Sequence, residues 1–137
     1  MNSHKFSATL DHLHEMIQWI SEKLSSLDPH ILSKITLASE EAIVNVIHHA
    51  YANRGGDLEI QIELVPGKQL QITFIDEGIS FDPLSLKEHS PPSSLEEQKI
   101  GGLGISLMRK CVDQLLYHKI ENRNLLTLIK KITNSPP

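Results

Sequence analysis

The sequence predicts an α/β (α+β) two-layer sandwich, in which a mixed, mainly antiparallel sheet carries helices on one face. Segments of helical and of strand periodicity follow one another along the 137 residues. The clearest strand segments, LEIQIEL and LQITFID, alternate apolar with polar residues, so only one face of the sheet is expected to be covered. A chain of this length fits one domain, and we expect residues 1–137 to form a single unit.

The first half of the chain supplies a candidate edge strand, two helices and a hairpin. HKFSAT is the candidate edge strand, and apolar residues at helical spacing predict a helix over residues 10–26. Asp28 and Pro29 begin the second helix as its N-cap and first residue, and NRGGD ends it. LEIQIEL and LQITFID then form a hairpin around VPGKQ.

The second half begins with a long segment that lacks periodicity. Residues 83–100 contain three prolines and four serines, and a loop of this length inside a domain is usually functional or disordered. GGLGISLMRKCVDQLL then predicts a helix with Ile105, Met108, Val112 and Leu115 on one face. LLYHKIEN and NLLTLIKKI predict a closing hairpin, and TNSPP a frayed tail.

Composition excludes several classes of function. The formal charge is −4 and no cluster of Lys and Arg appears, which argues against nucleic acid as a direct partner. No apolar run approaches the roughly 18–20 residues that span a bilayer, and the first residues lack the pattern of a signal peptide. Cys111 is the one cysteine, so no internal disulfide can form. We expect a cytoplasmic protein without membrane contact.

A polar stripe lies on the second predicted helix. Glu41, Asn45 and His49 are each four residues apart, so successive side chains drift only about 40° around the helix axis. Apolar residues, among them Ala42 and Val46, run beside them. A helix edge facing solvent would give the same pattern for Glu41. A metal-dependent hydrolase built on His48 and His49 would need further ligands, and none stands at metal-site spacing.

Two glycine-containing segments accompany the stripe. Asp76 and Gly78 follow a strand directly in IDEGISFDP, where an ordinary turn is the simplest interpretation. GGLG, which includes Gly102 and Gly104, begins a helix, where backbone N–H groups favour an anion. Each segment alone is weak evidence, and their order and spacing are more specific.

Taken together, SEEAIVNVIHHAY, IDEGISFDP and GGLGISLMRKCVD resemble the GHKL ATP-binding superfamily, and most closely its RsbW-type anti-sigma factor serine/threonine-protein kinases. The resemblance covers residues from about 30 to 130. It implies a Bergerat (histidine-kinase-like ATPase) fold, with ATP and Mg²⁺ held between helices and sheet under a mobile lid. Residues 83–100 match that ATP lid.

The resemblance also assigns roles to residues at the helix and strand positions. Asn45 matches the Mg²⁺ ligand, and an amide oxygen is a hard neutral donor suited to that ion. Glu41 matches the catalytic acid that accepts a proton near the γ-phosphate. His49 matches the histidine that closes this motif and is expected to support it, or to serve as a core or capping residue. Asp76 matches the acceptor of the adenine amino group, and Gly78 the residue that lets backbone approach the base.

The glycine-rich segment completes the implied site. Gly102 and Gly104 match the residues whose helix N–H groups face the phosphates. Lys99 just before them could reach a phosphate, and a solvated lysine of the lid is the alternative. Ser80 stands where the family often has a second glycine after the aspartate.

The implied function is that of a switch protein. It would sequester a sigma factor and phosphorylate a serine on an antagonist, an anti-anti-sigma protein with a STAS domain, and relatives suggest a homodimer. At 137 residues we expect neither a phosphoacceptor-helix domain nor a transducer domain. A module that binds ATP only as a structural ligand is the alternative, and Glu41 favours the kinase.

Overall fold

The computed structural model describes residues 1–79 and 103–132. Five strands form one open sheet in the order β1-β2-β3-β5-β4. Their bounds are β1 Asn2–Ser7, β2 Asp57–Val65, β3 Gln69–Asp76, β4 Gln114–Ile120 and β5 Arg123–Lys131. The four pairings between these strands are all antiparallel. The expected α/β two-layer fold is confirmed, and the part of the sheet that the structure describes is antiparallel rather than mixed.

The strands form because apolar side chains alternate along them. Leu58, Ile60 and Ile62 of β2 are buried, whereas Glu59 and Gln61 between them are partly exposed. The same period continues in β3, where Leu70, Ile72 and Phe74 have 1% exposure or less. One face of the sheet is therefore apolar and the other carries the polar residues.

Three α-helices of the described residues cover the apolar face. They are α1 Leu13–Lys23, α2 Pro29–Asn45 and α3 Leu103–Cys111, and a 3₁₀ turn over Leu10–His12 precedes α1. Asp28 caps α2 as predicted, because its Oδ1 accepts from the His30 amide at 2.8 Å. Apolar side chains of α2 and the inward residues of β2, β3 and β5 form one continuous core.

Two helix boundaries differ from the prediction. The predicted helix over residues 10–26 begins as a 3₁₀ turn, which leaves Leu10 55% exposed. The predicted third helix extended to Leu115, but α3 ends at Cys111 and Leu115 lies in β4. The Asp113 amide donates to the Ile129 carbonyl at 2.9 Å, so pairing with β5 takes the backbone groups that a longer helix would need.

A π-helical turn over Val46–Ala50 extends α2 beyond Asn45. The Tyr51 amide donates to the Val46 carbonyl at 3.0 Å, which is the i→i+5 hydrogen bond of that geometry. Positive φ values at Ala52 and Asn53 then end the helical path. The turn lies beside the end of β3, where the sequence predicted a site.

Candidate functional site

A small pocket opens between α2 and the inner face of the sheet. The helix and its π turn contribute Ala42, Asn45, Val46 and Ala50, and the strands contribute Asp76, Tyr117, Asn124 and Leu126. Most of the lining is apolar, and its polar side chains converge from α2, β3, β4 and β5. An apolar pocket with a few convergent polar groups is the usual form of a small-molecule site.

Asp76 is the last residue of β3 and is only 5% exposed. Its Oδ1 accepts from the Gly78 amide at 2.9 Å and from Asn124 Nδ2 at 2.8 Å. Burial raises the pKa of the Asp76 carboxyl, and the hydrogen bonds from Asn124 and Gly78 oppose that rise. Within the described residues no donor contacts Oδ2, so this oxygen is available as an acceptor.

Asn45 lies at the end of α2 and is 8% exposed. Its Nδ2 is buried and, within the described part of the chain, has no hydrogen-bond partner. A buried amide without a partner is unfavourable, so a polar ligand would complete its hydrogen bonding. Rotation of the amide by half a turn would present its oxygen instead, and Mg²⁺ prefers oxygen ligands. The residue thus fits the role that the resemblance assigned to it.

Glu41 lies one helical turn before Asn45 and is half-buried. It meets the first turn of α3, since a Cβ at Gly104 would lie 2.8 Å from Glu41 Oε2. Burial, and secondarily the charge of Glu40, raise the pKa of the Glu41 carboxyl. The structure therefore brings together Glu41 and Gly104, which the chain separates by more than sixty residues.

Gly78 lies in close contact with the backbone of Ala50. A Cβ at this position would lie 2.2 Å from the Ala50 carbonyl oxygen, and the next amide, Ile79 N, donates to that oxygen at 2.7 Å. The resemblance attributed Gly78 to a close approach of the base. The geometry supplies another reason for glycine, which is the contact between the end of β3 and the π turn.

His49 belongs to the π turn and is half-buried. The drift of 40° per four residues holds in an α-helix, and the wider turn after Asn45 changes it. His49 is not among the residues that line the pocket. The predicted stripe thus continues from Glu41 to Asn45 but does not bring His49 into the pocket.

Tyr51 ties the segment after Asp76 to β2. Its hydroxyl accepts from the Glu77 amide at 2.9 Å and donates to the Asp57 carbonyl at 2.5 Å. The ring lies over Gly56, where a Cβ would be 2.3 Å from a ring carbon. These contacts hold the backbone that follows Asp76 against the start of β2.

Several predicted residues lie outside the described ranges. They are Lys99, Gly102, Ser80 and the predicted lid over residues 83–100. The described residues hold no group of three or more His, Cys, Asp or Glu side chains that could bind a metal. Among residues 1–79 and 103–132, none of the helices combines the length and the hydropathy of a membrane-spanning segment.

Sequence reasoning missed two residues of the pocket, Asn124 and Tyr117. Asn124 is 3% exposed and pairs in register with Asp76, and Tyr117 Oη donates to Asn124 Oδ1 at 2.8 Å. A signal was present, because Asn124 has the inward parity of Leu126 and Leu128 along β5. A polar residue at an inward position indicates a buried polar partner.

The sequence profile of the histidine kinase-like ATPase domain matches residues 6–130. The chain belongs to this family. The five-stranded sheet, the helices on one face and the pocket between them are the histidine kinase-like ATPase domain as it occurs here.

Relatives of this ATPase domain are named as anti-sigma factors or as serine/threonine-protein kinases. An anti-sigma F factor of Clostridium kluyveri is 28% identical over 114 residues, which cover 82% of this chain and 80% of that protein. An anti-sigma F factor of a Thermoanaerobacter species is 30% identical, covering 81% and 78%. The serine/threonine-protein kinase BtrW of Bordetella bronchiseptica is 30% identical over 95 residues, covering 69% and 66%.

A solved structure of the RsbU and RsbW domains of Rv1364c from Mycobacterium tuberculosis matches 98% of this chain with a TM-score of 0.67 and 15% identity. This chain spans 34% of that longer structure. At this identity the match supports the fold alone. The similarity to anti-sigma factors and serine kinases comes from the curated relatives.

Proposed function

We propose that this protein is an ATP- and Mg²⁺-dependent protein serine/threonine kinase that also binds a sigma factor. Its protein substrate would be a serine on an anti-anti-sigma protein with a STAS domain. The observation that carries the proposal is the position of Glu41 against Gly104 while Asn45 stands one turn away on the same helix. A carboxylate, an amide and a helix start then lie near one another at one side of the pocket.

Asp76 would bind the adenine end of the nucleotide. Its Oδ1 already accepts two hydrogen bonds, whereas Oδ2 is the acceptor that an exocyclic amino group needs. The apolar walls from Ala42, Val46 and Leu126 suit the faces of a purine ring.

Asn45 would hold Mg²⁺ through its amide oxygen. Mg²⁺ commonly takes one or two protein ligands and completes its coordination with water and phosphate oxygens, so a single amide is a sufficient protein contribution. When bound, the ion neutralises phosphate charge and orients the phosphates for transfer.

Glu41 would accept the proton of the attacking serine. As the serine oxygen bonds to the γ-phosphorus and the bond to the bridging oxygen of ADP breaks, the hydroxyl proton passes to the Glu41 carboxylate. Burial raises the pKa of this carboxyl, which makes it a stronger base while it remains ionised. Positioning and electrostatics supply most of the catalysis in phosphoryl transfer, and Glu41 would contribute to both.

The names of the relatives support the proposed partners. Proteins named anti-sigma F factor, and serine kinases named BtrW and RsbW, match this chain at 28–30% identity. From these relatives we extend the proposal to three points. The target would be a sigma factor, the phosphate acceptor a STAS-domain protein, and the working form a homodimer. Acting on a sigma factor would place the activity in the cytoplasm.

Glu41→Gln tests the proposal directly. The variant keeps the size of the side chain and loses the proton acceptor, so ATP affinity should stay near that of the parent. Phosphate transfer from labelled ATP to candidate STAS proteins should fall by about 10²–10⁴-fold. Asn45→Ala should instead lose both Mg²⁺-dependent ATP binding and transfer.

Two outcomes would contradict this assignment. Equal transfer rates in the parent and Glu41→Gln would remove the base from the mechanism. Mg²⁺-dependent ATP binding without transfer to any STAS protein would favour a regulatory module that binds ATP as a structural ligand.

A further inference from the structure

A hydrogen-bonded chain reaches Asp76 from the far edge of the sheet. Tyr117 on β4 donates to Asn124 Oδ1 at 2.8 Å, and Asn124 Nδ2 donates to Asp76 Oδ1 at 2.8 Å. All three residues line the pocket, and Asn124 and Asp76 are 3% and 5% exposed. We infer that Tyr117 and Asn124 are positioning residues that set the preference of this site for a base carrying an exocyclic amino group.

The surroundings of Asn124 determine which way its amide points. Its Nδ2 faces Asp76 Oδ1 at 2.8 Å, the Gly78 carbonyl at 3.2 Å and, at the limit of hydrogen-bonding distance, the Ile79 carbonyl at 3.5 Å. All three are acceptors, so the reversed amide would place an oxygen against three oxygens. The remaining amide atom, Oδ1, then requires a donor, and the Tyr117 hydroxyl supplies it.

The orientation of Asn124 in turn determines which oxygen of Asp76 is available. Asp76 Oδ1 accepts from Asn124 Nδ2 and from the Gly78 amide, and these two bonds fix the carboxylate in one rotamer. Oδ2 is left as the acceptor for a ligand, as described above. A fixed acceptor favours an amino group and disfavours a carbonyl at the same place on the base, because two oxygens would meet.

Tyr117 acts through Asn124 rather than on the ligand. Without the Tyr117 hydroxyl, the buried Asn124 Oδ1 would lose its donor. The present orientation of the Asn124 amide would then be less favourable, and rotation of the amide would cost less. Rotation would withdraw Nδ2 from Asp76 and leave the Gly78 amide as its remaining donor, so the carboxylate would be held less firmly in its rotamer. The expected result is a loss of discrimination at the base rather than a general loss of binding.

This inference rests on the proposed nucleotide site, and its test compares two nucleotides. ATP and purine riboside triphosphate differ by the exocyclic amino group alone. Titration calorimetry on the whole protein should give the wild type a preference of about tenfold or more for ATP, as expected for a hydrogen bond to a charged group. Tyr117→Phe should reduce this ratio at least threefold, and Asn124→Ala should bring it close to one.

Affinity for purine riboside triphosphate should fall less than affinity for ATP in both variants, because that nucleotide does not use the carboxylate. Thr127→Val is the matched control. It removes a hydroxyl from the same strand, β5, on the opposite face of the sheet, where Thr127 Oγ1 lies 3.3 Å from Thr73 Oγ1. The ratio of the affinities for ATP and purine riboside triphosphate in Thr127→Val should equal that of the wild type.

The outcomes separate the two proposals. A folded Tyr117→Phe protein with the wild-type ratio would overturn the positioning role, and an equal loss of affinity for both nucleotides would show a merely structural one. If Asn124→Ala does not fold, Tyr117→Phe decides alone, since it retains the ring. A wild-type protein that binds neither nucleotide would overturn the proposed function itself.

Discussion

Glu41 Oε2 lies against Gly104, so close that a Cβ at position 104 would be 2.8 Å from it. The carboxylate comes from the C-terminal half of α2 and the glycine from the first turn of α3. The distance leaves room for a hydrogen at Gly104 and for no carbon. The position of the proposed base is therefore linked to the smallest side chain in the neighbouring helix.

Gly104→Ala should separate activity from stability. The added methyl group would displace the flexible end of Glu41 rather than backbone, and Ala is favoured over Gly inside a helix by about 1 kcal/mol. We expect an unchanged or slightly raised melting temperature and a loss of phosphate transfer of about tenfold to a hundredfold. Lys110→Ala, an exposed change on the same helix, should leave transfer unaffected. Full activity in Gly104→Ala would show that the placement of the carboxylate is not critical.

Gly78→Ala should lower stability, unlike Gly104→Ala. Its Cβ would lie 2.2 Å from the Ala50 carbonyl oxygen, a backbone atom that already accepts from Ile79 N. The backbone would have to move, and overpacking of this kind typically lowers the free energy of unfolding by about 1–3 kcal/mol. Thermal denaturation should show a melting temperature several degrees lower. A melting temperature equal to that of the parent would mean that the π turn can shift without loss.

Glu40→Gln should move the pH dependence of phosphate transfer. Burial is the larger cause of the raised pKa of Glu41, and the charge of Glu40 is the smaller. Removing that charge lowers the pKa of Glu41, so the proposed base stays ionised to lower pH. The acid limb of kcat/KM against pH should therefore shift to lower pH. Glu63→Gln makes the same change of charge on β2 and should leave the limb where it is.

Asp76→Asn should stabilise the nucleotide-free protein as pH rises. Burial raises the pKa of Asp76 in the folded state, so its favourable contribution is complete below the unfolded pKa and is lost as pH rises through the folded value. The variant lacks that loss, and its stability relative to the parent should increase over this window. Urea unfolding at a series of pH values measures it, while ATP affinity should fall.

Glu59→Gln provides a control of opposite sign. Hydrogen bonds from Gln61 and then Ser3 lower the pKa of Glu59, so its stabilising contribution is present above the unfolded pKa and is lost as pH falls through the folded value. This variant should be less stable than the parent at neutral pH and should approach it in acid. Parallel behaviour of the two variants would contradict the assigned causes.

Periodicity predicted most of the fold because the sheet has one apolar face. Alternation along β2 and β3 and the helical spacing in α2 each follow directly from burial on one side. The predicted end of α3 was wrong, because Leu115 fits a helical period and a strand period equally well. The pairing of β4 with β5 decides between helix and strand at Leu115, and that pairing is a tertiary contact.

The site could be predicted in part. The sequence separation of Glu41 from Asn45 is a helical one, so their proximity follows from local geometry. Asn124 and Tyr117 reach Asp76 through strand register, which periodicity does not specify. The π turn was also not foreseen, because VIHHA has no residue that distinguishes i→i+5 from i→i+4 bonding.

The π turn makes residue count, rather than residue identity, the property that the chain must preserve at this place. A π turn contains about one residue more than the α-helical path it replaces. Deleting a single residue within the turn would favour a regular α-helix, and the Ala50 carbonyl that now accepts from Ile79 N would point elsewhere. Substitutions there can be mild, whereas a one-residue change of length would disconnect the helix from the strand that carries Asp76.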